Sequence, residues 1–424
     1  MIITIKMRII LILITALIFM GGIAISQIRQ KKGSGTIFLS QVKVVVAMGL
    51  SLIGLTFLDS YHYLMSTLIG NLLQLTPIYV NPTIFESFLL EKWFVILSVV
   101  LMAWLINIIF VYYTKWRYLF VTPTGAIMMS LILLFFMQYS KLTFSTILII
   151  STILIGLAMS FGPYFTIKIG RGELEKETTI GGFNYLNIWI CLGFSKLFGA
   201  CETKTGDVIG RVKQPFLIKN PWKFLIISMT GISVLLLAIA SMRGYDNQIR
   251  LIVFDQFIIE GVGLEGFNLL SLWLGIGCFY GVYRIVLRVY PDYLLFFKML
   301  LPQAYFATDW IYQFKNTEKI AVVGFFCSYT SAFITLMYFS FYQWDQVVIP
   351  NLLIVGGIGI LVAKLAEDIN GIKGTIMASF MNGILLTAIP TLSFHWFQML
   401  QIDASVGSLD FFFIAQLLDI LFIF

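Results

Sequence analysis

A single carboxylate, Asp309, stands among aromatic residues in the stretch PQAYFATDWIYQF at 302–314. An ionised side chain is costly to hold away from water, so this residue either lies at a membrane boundary or holds something. At a boundary it would be wetted by headgroups or paired with Lys315 or Lys319. Pro302 is expected to break or bend a helix here, and broken helices at membrane depth line cavities in transporters. This combination favours Asp309 as a polar group of a substrate cavity.

Two further segments place polar groups in apolar surroundings. In the TPTG motif at 122–125, the threonine hydroxyls either satisfy carbonyls freed by the proline or face the same cavity from a second break. In GGFNYLNIW, Asn184 and Asn187 either belong to a turn or fix sugar hydroxyls beside aromatic rings that suit sugar faces. The candidate substrate-binding residues are therefore Asp309, Thr122, Thr124 and Asn184.

The motifs of soluble enzymes and pumps are absent from the sequence. There is no Walker motif, HExxH, GxSxG or Gly-rich dinucleotide loop. The four cysteines form no CxxC pair, and His62 and His395 are isolated residues. We therefore expect no catalytic residue, no bound metal and no cofactor. Asn107, in the middle of an apolar run, is expected to bond a neighbouring helix rather than a ligand.

The elements that position these residues must be membrane helices. Of the 424 residues, 59% are hydrophobic and only 12% are charged, with a mean hydropathy of +0.93. That leaves too few charges for the surface of a soluble protein, and the apolar runs are continuous rather than alternating. The composition predicts an all-α polytopic membrane protein. The net charge of +7 is explained by cytoplasmic Lys and Arg rather than by nucleic-acid binding.

Apolar runs predict about 10–11 transmembrane helices in a single integral membrane domain over 1–424. Residues 61–80 and 289–314 are apolar but interrupted, which is typical of re-entrant or interfacial segments. The approximate halves are 8–222 and 223–424. The candidate spans are 8–26, 42–58, 93–113, 118–138, 143–163, 223–242, 266–286, 320–341, 348–366, 373–393 and 409–424.

Lysine and arginine concentrate in alternate loops, above all in residues 164–223. The positive-inside rule therefore places 164–223 in the cytoplasm and the N-terminus outside. Within this segment, GGFNYLNIWICLGFSKLFG at 181–199 is apolar and aromatic. It predicts either an extra hairpin dipping into the bilayer or an interfacial helix.

An ordered series of stretches resembles the membrane component, enzyme IIC, of the ascorbate-type sugar phosphotransferase systems. The resemblance covers roughly residues 10–410, and this chain is similar to a divergent member. Asp309 falls on the acidic position of the family. The stretches that carry the resemblance are NIIFVYYTKWR at 107–117, TTIGGFNYLNIW at 178–189, LPQAYFATDWIYQF and IAVVGF within 301–325, and IPNLLIVGGIGILVAKLAEDINGIKG at 349–374.

The resemblance implies a homodimer in the bacterial cytoplasmic membrane, each protomer having two related halves, a core domain and a V-shaped scaffold domain. It implies an elevator-like movement of the core that carries a small sugar or sugar acid inward. A separate IIB protein with a phosphocysteine, supplied by IIA, would phosphorylate the sugar. The basic segment 164–223 would attract that acidic or phosphorylated partner.

Two groups of the family's ligand residues are replaced in this sequence. A histidine and paired glutamine of the fourth span correspond to Thr124, Met128 and Met129, and a second His-Gln group corresponds to the GFN at 182–184. A site that bonds several hydroxyls normally presents several donors and acceptors. The resemblance therefore implies the scaffold but not ascorbate as the substrate.

Four functions follow from these residues, with the sugar permease first. An ion-coupled secondary transporter would use Asp309 to carry a proton. A non-transporting scaffold or sensor would have kept the fold and lost the polar ligand positions. A glycolipid flippase or glycan-processing membrane enzyme would need large outer loops, and the outer loops predicted here are short.

Overall fold

A computed structural model describes residues 2–78, 83–170, 178–182, 184–198, 203–210, 220–244, 268–315, 317–402, 405–406 and 409–418. Most of these residues are helical. The helices are α1 (Ile2–Arg29), α2 (Ser34–Leu73), α3 (Thr83–Tyr113), α4 (Pro123–Met137), α5 (Phe144–Ile169), α6 (Tyr185–Leu197), α7 (Thr205–Gly210), α8 (Pro221–Met242), α9 (Asn268–Leu300), α10 (Trp310–Gln313), α11 (Ala321–Phe341), α12 (Leu352–Met399) and α13 (Leu409–Leu418). The short strands are β1 (Thr76–Pro77), β2 (Tyr118–Phe120), β3 (Thr178–Ile180), β4 (Tyr305–Thr308) and β5 (Gln346–Val347).

The predicted all-α polytopic membrane class is confirmed. Within the described ranges, six helices are long and apolar enough to cross a membrane. The other five predicted spans, 8–26, 118–138, 348–366, 373–393 and 409–424, fall mainly in the helices α1, α4, α12 and α13. The six candidate spans are Ser34–Leu73, Ser87–Tyr113, Phe144–Ile169, Pro221–Met242, Leu270–Leu300 and Ala321–Phe341.

Several predicted segments merge or change type. Predicted span 42–58 and the first part of the interrupted stretch 61–80 lie in one 40-residue helix, α2, because no proline or left-handed residue occurs within Ser34–Leu73, and the helix ends before Gln74 (φ 57°). Predicted span 118–138 begins as strand β2 and becomes helical only at Pro123. The two predicted spans from 348 to 393 lie in α12, which breaks at Asn370 and Gly371 (φ 54°). Predicted span 409–424 contains the ten-residue α13, and its last six residues lie outside the described part.

The interrupted stretch 289–314 combines a helix end with a strand. Its first part completes α9, which runs through Pro291 to Leu300. The predicted break at Pro302 is confirmed, because the chain leaves the helix just before this residue and forms β4. The apolar segment after Gly181 forms the single helix α6, packed against α5 and α12, so the hairpin alternative is wrong.

The strands form two small parallel sheets that join distant parts of the chain. Central strand β4 pairs with β2 on one side and with β3 on the other, and β1 pairs with β5. In the three-stranded sheet, Ala307 is aligned with both Phe120 and Thr179. Because all three strands are parallel, their carboxyl ends meet at one edge of the sheet. The chain segments that follow them therefore start from the same place.

Asn107 of α3 anchors this sheet to the helices. Its side-chain amide donates to the Tyr118 carbonyl at 3.1 Å and to the Ser160 hydroxyl of α5 at 3.0 Å. Its oxygen accepts the Phe120 N–H at 2.9 Å, and the residue is fully buried. The prediction that Asn107 bonds a neighbouring helix is confirmed. This bonding also fixes the position of β2.

Candidate functional site

Three helices begin where the three strands of the larger sheet end. Thr122 follows β2 and occupies the N-cap position of α4, and Asp309 follows β4 and occupies the N-cap position of α10. Asn184, four residues after the end of β3, occupies the N-cap position of α6. Three of the four predicted binding residues therefore lie at one edge of one sheet, although they are far apart in the sequence. We call this edge, with Thr122, Thr179, Asn184 and Asp309, the strand-end site.

Thr122 and Asn184 do not use their side chains to cap their own helices, whereas the Asp309 carboxylate interacts with the N–H groups of Trp310 and Ile311 in the first turn of α10. Asp, Asn and Thr at this position normally accept a hydrogen bond from an N–H group of the first helical turn. The side chains of Thr122 and Asn184 are therefore free of the local bond that would explain their residue types. This is the arrangement expected of residues that bind something else.

Several buried polar atoms at the strand-end site have no hydrogen-bond partner among the described residues. They include the hydroxyls of Thr122 and Thr179, whose residues are 2% and 1% exposed, and the side-chain oxygen of Asn184. An unsatisfied buried polar group costs about 1–3 kcal/mol, so such groups are rare. Their grouping here marks a place where a polar ligand is expected.

The register of the sheet places Thr179 beside the strand ends that lead to Thr122 and Asp309. Thr179 is aligned with Ala307, and Ala307 with Phe120. Aligned residues of neighbouring strands share a face of the sheet, so Thr179 lies on the face of Phe120 and Ala307, next to the edge at which the chain continues to Thr122 and Asp309. Sequence reasoning missed Thr179, since only the pairing of β3 with β4 gives it this position.

Gly181 brings the turn after β3 against the other two strands. A Cβ atom at Gly181 would lie 2.7 Å from the Thr122 hydroxyl oxygen and 2.8 Å from the Ala307 carbonyl oxygen. The Gly181 N–H donates to the Thr308 carbonyl at 2.7 Å. Only a residue without a side chain permits this approach, which holds the turn leading to Asn184 beside Thr122.

Asp309 is half-buried and packed against tyrosines of α9. Its backbone N–H donates to the Tyr290 hydroxyl at 3.3 Å, and the Tyr290 ring stacks on Tyr312 with centroids 4.8 Å apart. Tyr293, one turn along α9, is buried with its hydroxyl unpartnered among the described residues. These aromatic residues, also missed in the sequence, form an apolar wall with polar tips of the kind that suits a sugar.

The carboxyl group of Asp309 lies outside the six candidate spans. Burial raises its pKa from 3.8 to about 6, with the N–H groups of Ile311 and Trp310 acting in the opposite direction. The ion pairs formed within the described ranges are Lys32–Asp292 and Lys92–Glu91. Pairing of Asp309 with Lys315 or Lys319, considered as the boundary alternative, is therefore not formed.

Thr124 has a different environment from Thr122. It is exposed on the first turn of α4, and its hydroxyl lies 3.4 Å from that of Thr15 on α1. Its contact links α4 to α1, whereas Thr122 points to the turn at Gly181. The structure thus groups Thr122, Asn184 and Asp309 at the strand ends, whereas Thr124 contacts Thr15 of α1 instead.

Two further polar residues support the strand-end site. Gln313 of α10 donates from its side-chain amide to the Thr179 carbonyl at 3.1 Å and to the Thr308 hydroxyl, so it ties α10 to both strands. Asp410 of α13 accepts the N–H of Leu186 at 2.9 Å. In the part of the chain that the structure describes, no group of three His, Cys, Asp or Glu residues has the arrangement of a metal site.

A polytopic helical bundle with polar residues at breaks between strands and helices has the architecture of a membrane transporter. The chain belongs to the family described as the PTS system sugar-specific permease component (EIIC-GAT), whose model matches residues 11–411. It is therefore a multi-pass sugar permease of the phosphotransferase type. No curated protein matches the chain.

Proposed function

We propose that this chain is the IIC component of a phosphotransferase system and that it binds its sugar at the strand-end site. The family supports the transport class. The observation that carries the site is the convergence of Thr122, Asn184 and Asp309 after three parallel strands, with the side chains of Thr122 and Asn184 unused as helix caps. The carboxylate and the amide oxygen would accept hydrogen bonds from sugar hydroxyls, and the threonine hydroxyls would donate or accept.

The order of elements supports the proposed division into two related halves. A long helix, a strand, a helix, a long helix, a strand and a helix occur in that order from α3 to α6 and again from α9 to α12. In both series the first strand begins five residues after the long helix ends, at Tyr118 and at Tyr305. We propose that the halves form a core and a scaffold, and that an elevator-like movement of the core carries the sugar across.

The subfamily, the oligomeric state, the membrane and the partner proteins are proposed from the resemblance. We propose a divergent member of the ascorbate-type branch, a homodimer in the bacterial cytoplasmic membrane, with a separate IIB phosphocysteine protein that is recharged by IIA. A phosphorylated partner would be attracted by the basic residues of the proposed cytoplasmic segment 164–223, such as Lys168, Lys196 and Lys204. The phosphoryl group would reach the sugar on that face.

Uptake in cells that carry or lack the general phosphoryl-donor proteins tests this function. We expect cells expressing the chain with its IIB and IIA partners to accumulate one sugar as its phosphate. Deletion of the donor system is expected to abolish that accumulation, because phosphorylation traps the sugar inside. Equal uptake of every tested sugar with and without the donor system would contradict the phosphotransferase function.

The raised pKa of Asp309 makes sugar binding pH-dependent. Above pH 6 the carboxylate is ionised and accepts hydrogen bonds from hydroxyls, whereas below pH 6 it becomes protonated. We therefore expect affinity to be highest at neutral pH and to fall as the pH drops through about 6. Calorimetric titrations from pH 5 to 8 measure this, and in Asp309→Asn the dependence should disappear.

The same pKa supports a second candidate, proton-coupled transport through Asp309. A carboxyl group that titrates near pH 6 is able to take up and release protons under physiological conditions. Here uptake would persist without the phosphoryl donor and would collapse when an uncoupler dissipates the proton gradient. The phosphotransferase function predicts the opposite result in both experiments.

A further inference from the structure

Tyr293 of α9 ends in a buried hydroxyl that the packing of the helices does not use. The residue is fully buried, and its hydroxyl has no hydrogen-bond partner among the described residues. A tyrosine hydroxyl that leaves water normally finds a partner, because an unsatisfied buried polar group is costly. Phenylalanine would give the same apolar contacts without that cost. The hydroxyl therefore points to a role other than packing.

The ring of Tyr293 is held in one position by its neighbours. It packs against Phe19 of α1 with ring centroids 4.2 Å apart, and edge-on against Phe297 at 5.0 Å. A Cβ atom at Gly22 of α1 would lie 2.9 Å from the Tyr293 ring, so a glycine is needed for this close approach. Because close-packed side chains have little room to turn, the fold fixes where the hydroxyl lies.

The fixed hydroxyl belongs to the surroundings of Asp309. Tyr290 contacts the Tyr293 ring edge-on at 5.6 Å, and the Tyr290 hydroxyl accepts the Asp309 N–H at 3.3 Å. Asp309 interacts electrostatically with both tyrosines. Tyr293 also lies in the hydrophobic cluster that contains Val121, the residue before Thr122. The Tyr293 hydroxyl is thus a further unused polar group beside the strand-end site.

Asp309 and Tyr293 have complementary hydrogen-bonding capacities. An ionised carboxylate only accepts hydrogen bonds, whereas a tyrosine hydroxyl is able to donate one. A sugar hydroxyl donates its hydrogen and accepts through its oxygen, so a single hydroxyl of the ligand satisfies both groups. Tyr290 has a different task, because its hydroxyl accepts the Asp309 N–H and so helps to position this residue.

We propose that Tyr293 is a further substrate-binding residue, which donates a hydrogen bond to the same sugar hydroxyl that donates to Asp309. This inference rests on the proposed function, because it takes the strand-end site as the place where the sugar binds. The pair selects for a hydroxyl at one particular carbon of the substrate. An analogue that lacks this hydroxyl leaves two buried polar groups without partners, which gives strong discrimination.

Calorimetry on the full-length protein in nanodiscs measures this selection. The probes are galactitol, glucitol, mannitol, gluconate and ascorbate, and the best-bound compound is then compared with each of its monodeoxy analogues. We expect Tyr293→Phe to bind the parent compound about three- to tenfold more weakly. One deoxy analogue should bind to the unmodified protein at least about 30-fold more weakly than the parent, and Tyr293→Phe should not weaken its binding further.

Tyr329→Phe is the matched control. Tyr329 of α11 is also buried with a hydroxyl that has no partner among the described residues, but its ring stacks on Phe325 and it interacts with Tyr61 of α2. Its substitution should leave every affinity within about twofold of the original value. Thermal melting without ligand is the second readout. Tyr293→Phe removes an unpaired buried group and keeps the ring, so its melting temperature should be equal or higher.

A double variant tests whether the two groups bind the same hydroxyl. Residues that share one partner give losses that do not add independently. We expect Tyr293→Phe combined with Asp309→Asn to lose affinity by at least about twofold less than the product of the two separate losses. A loss equal to the product would place the two residues on different parts of the sugar and overturn the shared hydroxyl.

The remaining outcomes separate the role of Tyr293 from the proposed site. Normal affinity in Tyr293→Phe, together with a loss in Asp309→Asn, overturns the role of Tyr293 and leaves the strand-end site in place. Equal weakening of the parent and of every deoxy analogue, or a lowered melting temperature, assigns Tyr293 to packing. If no compound binds, both the site and this inference fail, whereas donor-dependent sugar uptake would still support the phosphotransferase function.

Discussion

Asp309→Asn is expected to lower the affinity for the transported sugar by about 10- to 150-fold, which corresponds to losing about 1.5–3 kcal/mol of charge-assisted hydrogen bonding. The ionised carboxylate accepts hydrogen bonds with both oxygens, whereas the amide has one acceptor oxygen and presents an N–H group to the other hydroxyl. Binding by the purified protein measures the effect directly. Donor-dependent uptake is expected to fall in parallel when the sugar concentration is below saturation.

Stability distinguishes a binding role for Asp309 from a structural one. Its pKa is about 6 in the folded protein and 3.8 without burial, so its stabilising contribution is full below pH 3.8 and is lost as the pH rises through 6. At pH 7 the buried charge opposes folding, and the neutral Asn removes this cost. We therefore expect the ligand-free melting temperature of Asp309→Asn at pH 7 to be equal to or higher than that of the unmodified protein.

Asp345→Asn is the matched control for this prediction. Asp345 is exposed in the loop before β5, so the same chemical change there should alter neither sugar affinity nor stability. A normal affinity in Asp309→Asn would show that the carboxylate does not hold the sugar. A strongly lowered melting temperature would instead indicate that Asp309 supports the fold.

The helices were the part of this protein that its sequence could predict. Long apolar runs leave few alternatives in a bilayer, and the location of most helices follows from them. Their ends were harder to predict. Nothing in the sequence between Tyr61 and Leu73 breaks a helix, so α2 continues where a break had been expected. The segment at 118–138 is apolar throughout, but its first residues pair with β4 instead of entering a helix.

The strands were missed because they are too short to show a pattern. YLF, TTI and YFAT have three or four residues each, which is too few for an alternating pattern to distinguish a strand from a helix end. Their pairing depends on residues more than a hundred positions apart in the chain, as does the contact of Asp410 with Leu186. Single-sequence periodicity contains no such information.

The candidate site residues are predicted from their chemistry rather than from geometry. Asp309, Thr122 and Asn184 attracted attention as polar groups in apolar stretches, and the structure places all three at helix starts on one edge. The same reasoning selected Thr124, two residues from Thr122, because the sequence does not show that the two threonines have different environments. The point at which α4 begins decides that Thr122 lies at the strand end, while Thr124 faces α1.

Gly181→Ala and Gly182→Ala are expected to differ sharply although they are adjacent substitutions of the same kind. A methyl group at Gly181 would lie 2.7 Å from the Thr122 hydroxyl oxygen and 2.8 Å from the Ala307 carbonyl oxygen. At Gly182 a Cβ meets nothing within 4 Å. Because overpacking costs about 1–3 kcal/mol, we expect Gly181→Ala to lower the stability by that amount. Gly182→Ala should change it by less than about 0.5 kcal/mol.

Binding should be affected more than stability at Gly181. Relief of the clash requires the turn before α6 to move away from β2 and β4, which separates Asn184 from Thr122 and Asp309. We expect Gly181→Ala to retain a folded protein with at least about tenfold weaker sugar binding, since a displacement near 1 Å is enough to lose productive contacts. Calorimetry and thermal melting of both variants measure the two effects, and similar behaviour of the pair would contradict the close approach seen here.

A double variant tests the origin of the effect. Thr122→Ala removes the hydroxyl that the new methyl group would strike, but the Ala307 carbonyl, which belongs to the backbone, remains. Combining it with Gly181→Ala should therefore recover part of the lost stability and none of the lost binding, because Thr122 is itself proposed to contact the sugar. Additive losses of stability in the double variant would mean that the two residues do not meet. Recovery of binding would mean that Thr122 contributes only to packing.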